Sequence, residues 1–170
     1  VFMPGGRGEA TRVAEPAELF IAAARAFVAA TGQRTVVLTG RKGTNPATDP
    51  LLTLLPRIEP GEVQYLIAES LMVVSNGGTT LIHSLAHGRP IVSIPLAGDQ
   101  DRRIRRAVRL QIAATARRTP EAIAAAAAGL LGDAARRDAM VGRIAAMGIA
   151  NGVGEAVSAL RLLARAARGG

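Results

Sequence analysis

The segment Val73-Val74-Ser75-Asn76-Gly77-Gly78-Thr79-Thr80-Leu81-Ile82-His83-Ser84-Leu85-Ala86-His87-Gly88-Arg89-Pro90 passes from an apolar run through paired glycines and two hydroxyl residues into a helical pattern. It continues as Ile91-Val92-Ser93-Ile94-Pro95-Leu96-Ala97-Gly98-Asp99-Gln100. Short β-branched runs alternating with helical patterns mark parallel strands covered by crossover helices. The alternation extends outward in both directions. Strands are expected at Val1 to Pro4, Thr35 to Thr39, Leu55 to Ile58, Leu71 to Ser75 and Ile91 to Pro95, with a sixth around Ile112 to Ala116. Helices are expected from Glu15 to Thr31 before Gly32, from Gly61 to Ser70, from Gly78 or Thr79 to Gly88, and from Asp99 to Gln111. Pro90 cannot continue the third of these, and Glu62 suits the first turn of the second.

Beyond Thr119-Pro120-Glu121 the chain reads as helical throughout. Thr caps, Pro fits the first helical position and Glu meets the positive end of the helix dipole. Gly132, Gly148 and Gly169 punctuate three helices, and Ala124 to Ala128 is strong helix-forming sequence suited to close packing. The expectation is an α/β fold: a Rossmann-like, doubly wound parallel sheet of about six strands, helices on both faces and a helical C-terminal region. It forms one domain over residues 1–170. A strand that opens the chain at Val1, without an initiator Met, suggests a piece of something longer.

The 170 residues are 49% hydrophobic and 20% charged, enough apolar sequence for one full core. The absence of Cys excludes a disulfide scaffold, a thiolate metal site and a cysteine nucleophile, and makes a cytoplasmic, reducing location the expectation. The longest near-apolar run, Ala122 to Leu131, is well short of the ~20 residues that cross a bilayer. The formal charge is +8, almost all from arginine, Lys42 being the one lysine. Aromatic residues make up 2% of the chain and Trp is absent, so the rings that stack on single-stranded nucleic acid are missing and no nucleic-acid partner is expected. The arginine excess reads either as a compositional habit or as a face for phosphate-bearing partners, which guanidinium suits.

In a doubly wound sheet ligands bind outside the carboxyl ends of the strands, so the loops that follow strands are the candidate site. The loop Pro4-Gly5-Gly6-Arg7-Gly8-Glu9 has glycines that let backbone approach a phosphate and Arg7 to add charge, although glycine-rich turns of this kind also arise for steric reasons. It is neither a Walker loop nor a GxGxxG motif. Lys42, in Gly40-Arg41-Lys42-Gly43, reads as a solvated turn. In the central segment, Ser75, Asn76, Gly77, Gly78, Thr79 and Thr80 lie where a buried strand meets a helix start, so free amides and the positive dipole end suit a diphosphate. Helical spacing puts Thr79 and His83 on one face, within reach of a ribose or base. The alternative for His83 is a helix-surface or satisfied core histidine, and His87 in the last turn merely complements the dipole. Two histidines, no cysteine and no HExxH or acidic cluster argue against a protein-bound metal. No GxSxG elbow ties Ser75, His83 and Asp99 into a hydrolytic triad.

The block from Val73 to Gln100 resembles the donor-binding signature of GT-B glycosyltransferases. The likeness is to UDP-glucuronosyltransferase-like enzymes, antibiotic glycosyltransferases and the peptidoglycan N-acetylglucosaminyltransferase. It rests on the Gly77 turn, Thr79-Thr80, the Gly88-Arg89-Pro90 step, and Pro95 followed by Asp99-Gln100. Gly5-Gly6 resembles the glycine loop that opens the family's C-terminal domain. Thr119-Pro120-Glu121, Leu130-Leu131 and Arg136-Arg137 resemble its closing helices.

The resemblance implies the nucleotide-sugar-binding half of a two-domain enzyme, with no cofactor and no metal. The donor is a UDP- or dTDP-linked sugar, and the other partner is a missing N-terminal acceptor domain or an acceptor subunit that supplies the general base. Ile58 takes the position where main chain meets the base. Gly77, Gly78, Thr79 and Thr80 lie by the diphosphate, and Asp99 and Gln100 take the place of residues that bind the sugar hydroxyls. His83 stands where many members have a Glu on the ribose, Ser75 where many have a His at the phosphate, and Arg103 where Asn is common. Arg102, Arg105, Arg106 and Arg109 form a stripe opposite Ile104, Val108 and Ile112, read as a solvated face or as contact with a partner domain or a membrane surface. The implied reaction is displacement at the anomeric carbon; a non-catalytic nucleotide-sugar module, and an epimerase or phosphorylase, are the other readings.

Overall fold

A computed structural model describes residues 1–5, 10–40, 49–149 and 153–166. Five short strands, β1 (Phe2–Met3), β2 (Thr35–Leu38), β3 (Leu52–Leu55), β4 (Val73–Asn76) and β5 (Ile91–Ile94), form one parallel sheet in the order β3-β2-β1-β4-β5. The seven described helices are α1 (Ala10–Thr31), α2 (Pro60–Ala68), α3 (Thr79–Ala86), α4 (Gly98–Arg109), α5 (Pro120–Gly132), α6 (Ala134–Ala146) and α7 (Val153–Ala166). The chain winds from β1 outward to β3, returns through α2 to β4 on the other side of β1, and continues through α3 to β5. Right-handed crossovers therefore put α1 on one face and α2 and α3 on the other. α1 packs against α5 and the sheet, while α2 packs against α3.

The core follows from that winding. β4 and β5 are buried along their whole length, as strands covered on both faces must be. On the α1 face Phe2, Phe20 and Phe27 are buried, and the rings of Phe2 and Phe27 meet at 5.5 Å between centroids, tilted by 54°. Each fully buried side chain of this size contributes about 1.5–3 kcal/mol. The expected caps are in place: Glu62 accepts from the Glu59 N–H at 2.8 Å, and the Thr119 hydroxyl accepts from Ala122 N–H at 3.3 Å. Gly88, at φ 65°, closes α3, its N–H bonding Leu85 O while Arg89 N–H bonds Ser84 O. No described helix is long and apolar enough to cross a membrane.

Three expectations are corrected. The sheet has five strands rather than six: the segment expected at Ile112 to Ala116 lies beside β5 but makes only one bridge, Val92 to Ala114. The ladder stops there because the Thr115 hydroxyl, at 2.7 Å, takes the Ser93 carbonyl that the next backbone N–H would have used. The third strand is Leu52–Leu55, not Leu55 to Ile58; Pro56 has no N–H for the ladder, and the chain turns from there toward α2. α1 starts at Ala10, five residues before Glu15, with Pro16 inside it at the loss of one helical bond.

Candidate functional site

The strand order reverses between β1 and β4, and in a doubly wound sheet such a reversal opens a crevice outside the carboxyl ends of the strands. Gly5 follows β1 in a left-handed conformation, φ 70°. Asn76 ends β4 with its side chain buried, and its Oδ1 accepts from the Gly78 N–H at 3.2 Å. A Cβ on Gly5 would sit 2.6 Å from Asn76 Oδ1 and 2.7 Å from Nδ2, and one on Gly78 would sit 3.1 Å from Oδ1. The carboxamide is thus wedged between two glycines: at Gly5 the left-handed backbone and the close approach both disfavour a Cβ, and at Gly78 a Cβ would press on Oδ1.

The β4–α3 turn is held from its other side by α4. The Arg103 guanidinium donates to Gly77 O. A Cβ on Gly77 would come within 2.7 Å of Ile104 Cδ1 and 2.9 Å of Gln100 Cβ. Ile104 is buried, so the contact has little room to give. Gln100 in turn accepts from Leu96 N–H at 3.0 Å, fixing the first turn of α4 to the end of β5. Asp99 is exposed, 4.0 Å from Arg103. At the start of α3, Thr79 is exposed and Thr80 half-buried, and their N–H groups belong to the first turn, which has no intrahelical acceptors. The anion-favouring end of α3 therefore faces the crevice bounded by Gly5, Asn76 and the α4 start.

His83 lies one turn along α3, half-buried, with its Nδ1 2.6 Å from Gln64 Nε2 on α2. The same carboxamide meets His87 Nε2 through its Oε1 at 2.8 Å. Burial, and then the nearby His87, hold the His83 pKa below its ordinary value of 6.5. Ile58 lines a cavity of about 450 Å³ with Leu55, Gly61, Glu62, Tyr65 and Leu66, at the carboxyl end of β3. A cavity of about 310 Å³ at the opposite, amino ends of the strands, lined by Phe27, Arg34, Leu71 and Leu131 among others, contains none of the expected site residues.

The fold brings Gly5, Asn76, Gly77, Gly78, Thr79, Thr80, Asp99 and Gln100 to one end of the sheet, with His83 and Ile58 joined to them through α3 and α2. Ser75 is fully buried within β4, its hydroxyl donating to Asn76 O at 2.9 Å, so it meets the protein interior and not the crevice. Gly6, Arg7 and Lys42 lie outside the described residues. Gln64 escaped the sequence reading; it is 19 positions from His83 and belongs to another helix, and no local pattern signals the pairing. The Arg103 bond to Gly77 was equally hidden, although its two residues sit on recognised elements.

No protein-family model matches the sequence, and comparison with curated proteins gives no match. Solved structures do match. The calicheamicin glycosyltransferase CalG4 superposes with a TM-score of 0.69 at 22% identity, over 98% of this chain and 43% of that one. The glycosyltransferase SnogD from Streptomyces nogalater gives 0.54 at 20% identity, over 86% of this chain and 37% of that one. A putative UDP-N-acetylglucosamine 2-epimerase from Listeria monocytogenes gives 0.63 at 14% identity, over 82% of this chain and 38% of that one. The chain thus spans about two fifths of the length of these relatives in fold. At such identities the likeness establishes architecture: the chain is a Rossmann-like domain of the GT-B type, built as one part of larger glycosyltransferases is built.

Proposed function

We propose that the chain is the nucleotide-diphospho-sugar-binding domain of a metal-independent, inverting glycosyltransferase that transfers a hexosyl group from a UDP- or dTDP-linked donor. The observation that carries this reading is the wedge of Asn76 between Gly5 and Gly78, which lines up two glycine turns and the amino end of α3 at the sheet's reversal point. The diphosphate then lies against Gly77, Gly78, Thr79 and Thr80, where first-turn amides stabilise the charge that develops as the nucleotide leaves. The base rests by Ile58, the ribose by His83, and the sugar hydroxyls meet Asp99 and Gln100; the buried Ser75 supports the turn from beneath. The general base comes from an N-terminal acceptor domain or an acceptor subunit, so this chain alone binds the donor without turning it over. A cytoplasmic site of action, with the arginines of α4 against a partner domain or a membrane surface, completes the reading.

A second reading is an epimerase, favoured by a fold likeness to a UDP-N-acetylglucosamine 2-epimerase whose TM-score of 0.63 lies between those of SnogD, 0.54, and CalG4, 0.69. Calorimetric titration with UDP, GDP and dTDP tests donor binding directly. Saturable binding of one nucleotide near millimolar, about 4 kcal/mol, weakened by Thr80→Val and His83→Ala, is the expected result. Binding by none of them, from a folded chain, defeats the proposal. Product analysis of a longer protein carrying this domain separates transfer to an acceptor from epimerisation of the free nucleotide sugar.

A further inference from the structure

Gln64 carries a chemical consequence beyond joining two helices. Its carboxamide contacts both histidines of the chain, Nε2 to His83 Nδ1 at 2.6 Å and Oε1 to His87 Nε2 at 2.8 Å. An amide NH₂ only donates and an amide oxygen only accepts. With the carboxamide in this orientation, His83 Nδ1 is the bare, accepting nitrogen and His87 Nε2 carries a hydrogen. A neutral His83 then holds its proton on Nε2, the nitrogen not engaged by Gln64.

We infer that Gln64 is a positioning residue: it fixes His83 as the neutral Nε2–H tautomer, so that on the face of α3 shared with Thr79 this side chain offers a single hydrogen-bond donor and no acceptor. For nucleotide recognition the inference rests on the donor-domain reading above. A donor of this kind suits an oxygen lone pair, on a ribose hydroxyl or a phosphate of a nucleoside diphosphate, whereas a carboxylate at the same place would accept from ribose hydroxyl hydrogens. Doubly protonated His83 would need an acceptor at Nδ1 and so a reversed carboxamide, which would turn the NH₂ toward the His87 nitrogen that now donates. The arrangement therefore disfavours a second proton on His83, in keeping with its depressed pKa.

The test is the tautomer itself, read from long-range nitrogen–proton NMR spectra of the two imidazoles in the full chain without nucleotide, with His87→Asn used for assignment. Wild type is expected to show His83 as Nε2–H at pH 7. Gln64→Leu should give mixed tautomers, and Gln64→Glu, an isosteric side chain that only accepts, should move the proton to Nδ1. Either Nδ1–H at His83 in wild type, or a tautomer unchanged by Gln64→Leu, overturns the inference; the wild-type spectrum decides even if a variant fails to fold. In calorimetry with UDP, Gln64→Leu should weaken binding about fivefold, one hydrogen bond's worth. Unchanged affinity with an altered tautomer overturns the role in binding. A wild-type chain that binds no nucleotide defeats the donor-domain reading instead, while the spectra still judge what Gln64 does to His83.

Discussion

Asn76 and Gly5 touch across the point where the strand order reverses: a Cβ on Gly5 would lie 2.6 Å from the Asn76 carboxamide oxygen. Residues 71 positions apart are thereby made into one wall of the crevice, and the contact exists only because Gly5 has no side chain and adopts φ 70°.

Gly5→Ala therefore meets two separate penalties. The left-handed backbone costs roughly 1–2 kcal/mol for a residue with a Cβ, and the clash adds roughly 1–3 kcal/mol. Asn76→Ala should remove the second penalty but not the first. Urea unfolding of both single variants and the double variant measures the coupling; strict additivity would show that the two residues do not press on one another.

Gly77→Ala tests the seating of α4 on the β4–α3 turn. The added methyl would meet buried Ile104 at 2.7 Å, and a loss of roughly 1–3 kcal/mol is expected. In an Ile104→Ala background, where both conflicting atoms, Cδ1 and Cγ1, are gone, Gly77→Ala should cost less than it does in the wild-type chain. A Gly77→Ala chain as stable as wild type would mean that α4 does not rest on this turn.

Gln111 offers a gain in stability. It follows α4 at φ 55°, the left-handed position that closes a helix, with its N–H on Val108 O at 2.9 Å and the Ile112 N–H on Ala107 O at 3.0 Å. Gln111→Gly keeps both bonds and relieves the Cβ, so stability should rise by about 0.5–1 kcal/mol after the extra freedom of the unfolded glycine is counted. A lower urea midpoint would contradict this.

The depressed His83 pKa predicts a pH dependence of definite sign. Between the folded pKa and the ordinary value of 6.5, the unfolded chain binds more protons at this position, so stability rises with pH. The contribution is complete above about pH 7 and is lost as pH falls below 6.5 through the folded value. His83→Asn should flatten this part of the profile. Urea midpoints of both proteins at several pH values in that window decide it, and an unchanged slope would rule out His83 as the source.

Local chemistry made much of this domain legible. Gly88 and Pro90 marked the end of α3, Thr119 the start of α5, and the Gly77-Gly78-Thr79 run the place where strand gives way to helix. The errors arose where a neighbour decides. The pattern puts the start of α1 at Glu15, yet the helix begins at Ala10 and runs through Pro16, because a 22-residue helix packed on α5 tolerates one missing bond. Ile112 to Ala116 has a strand's composition, but the Thr115 hydroxyl closes the ladder after a single bridge.

Alternating apolar runs and helical patterns, read in order, determined by themselves that the sheet is parallel and doubly wound, because the period of burial is written residue by residue along the chain. Which side chains meet at the reversal point was decided only by the tertiary structure. Asn76 against Gly5, Arg103 on Gly77 and Gln64 between the two histidines are contacts between separate elements. Their partners are set by how helices seat on the sheet, and no spacing within one element encodes that distance.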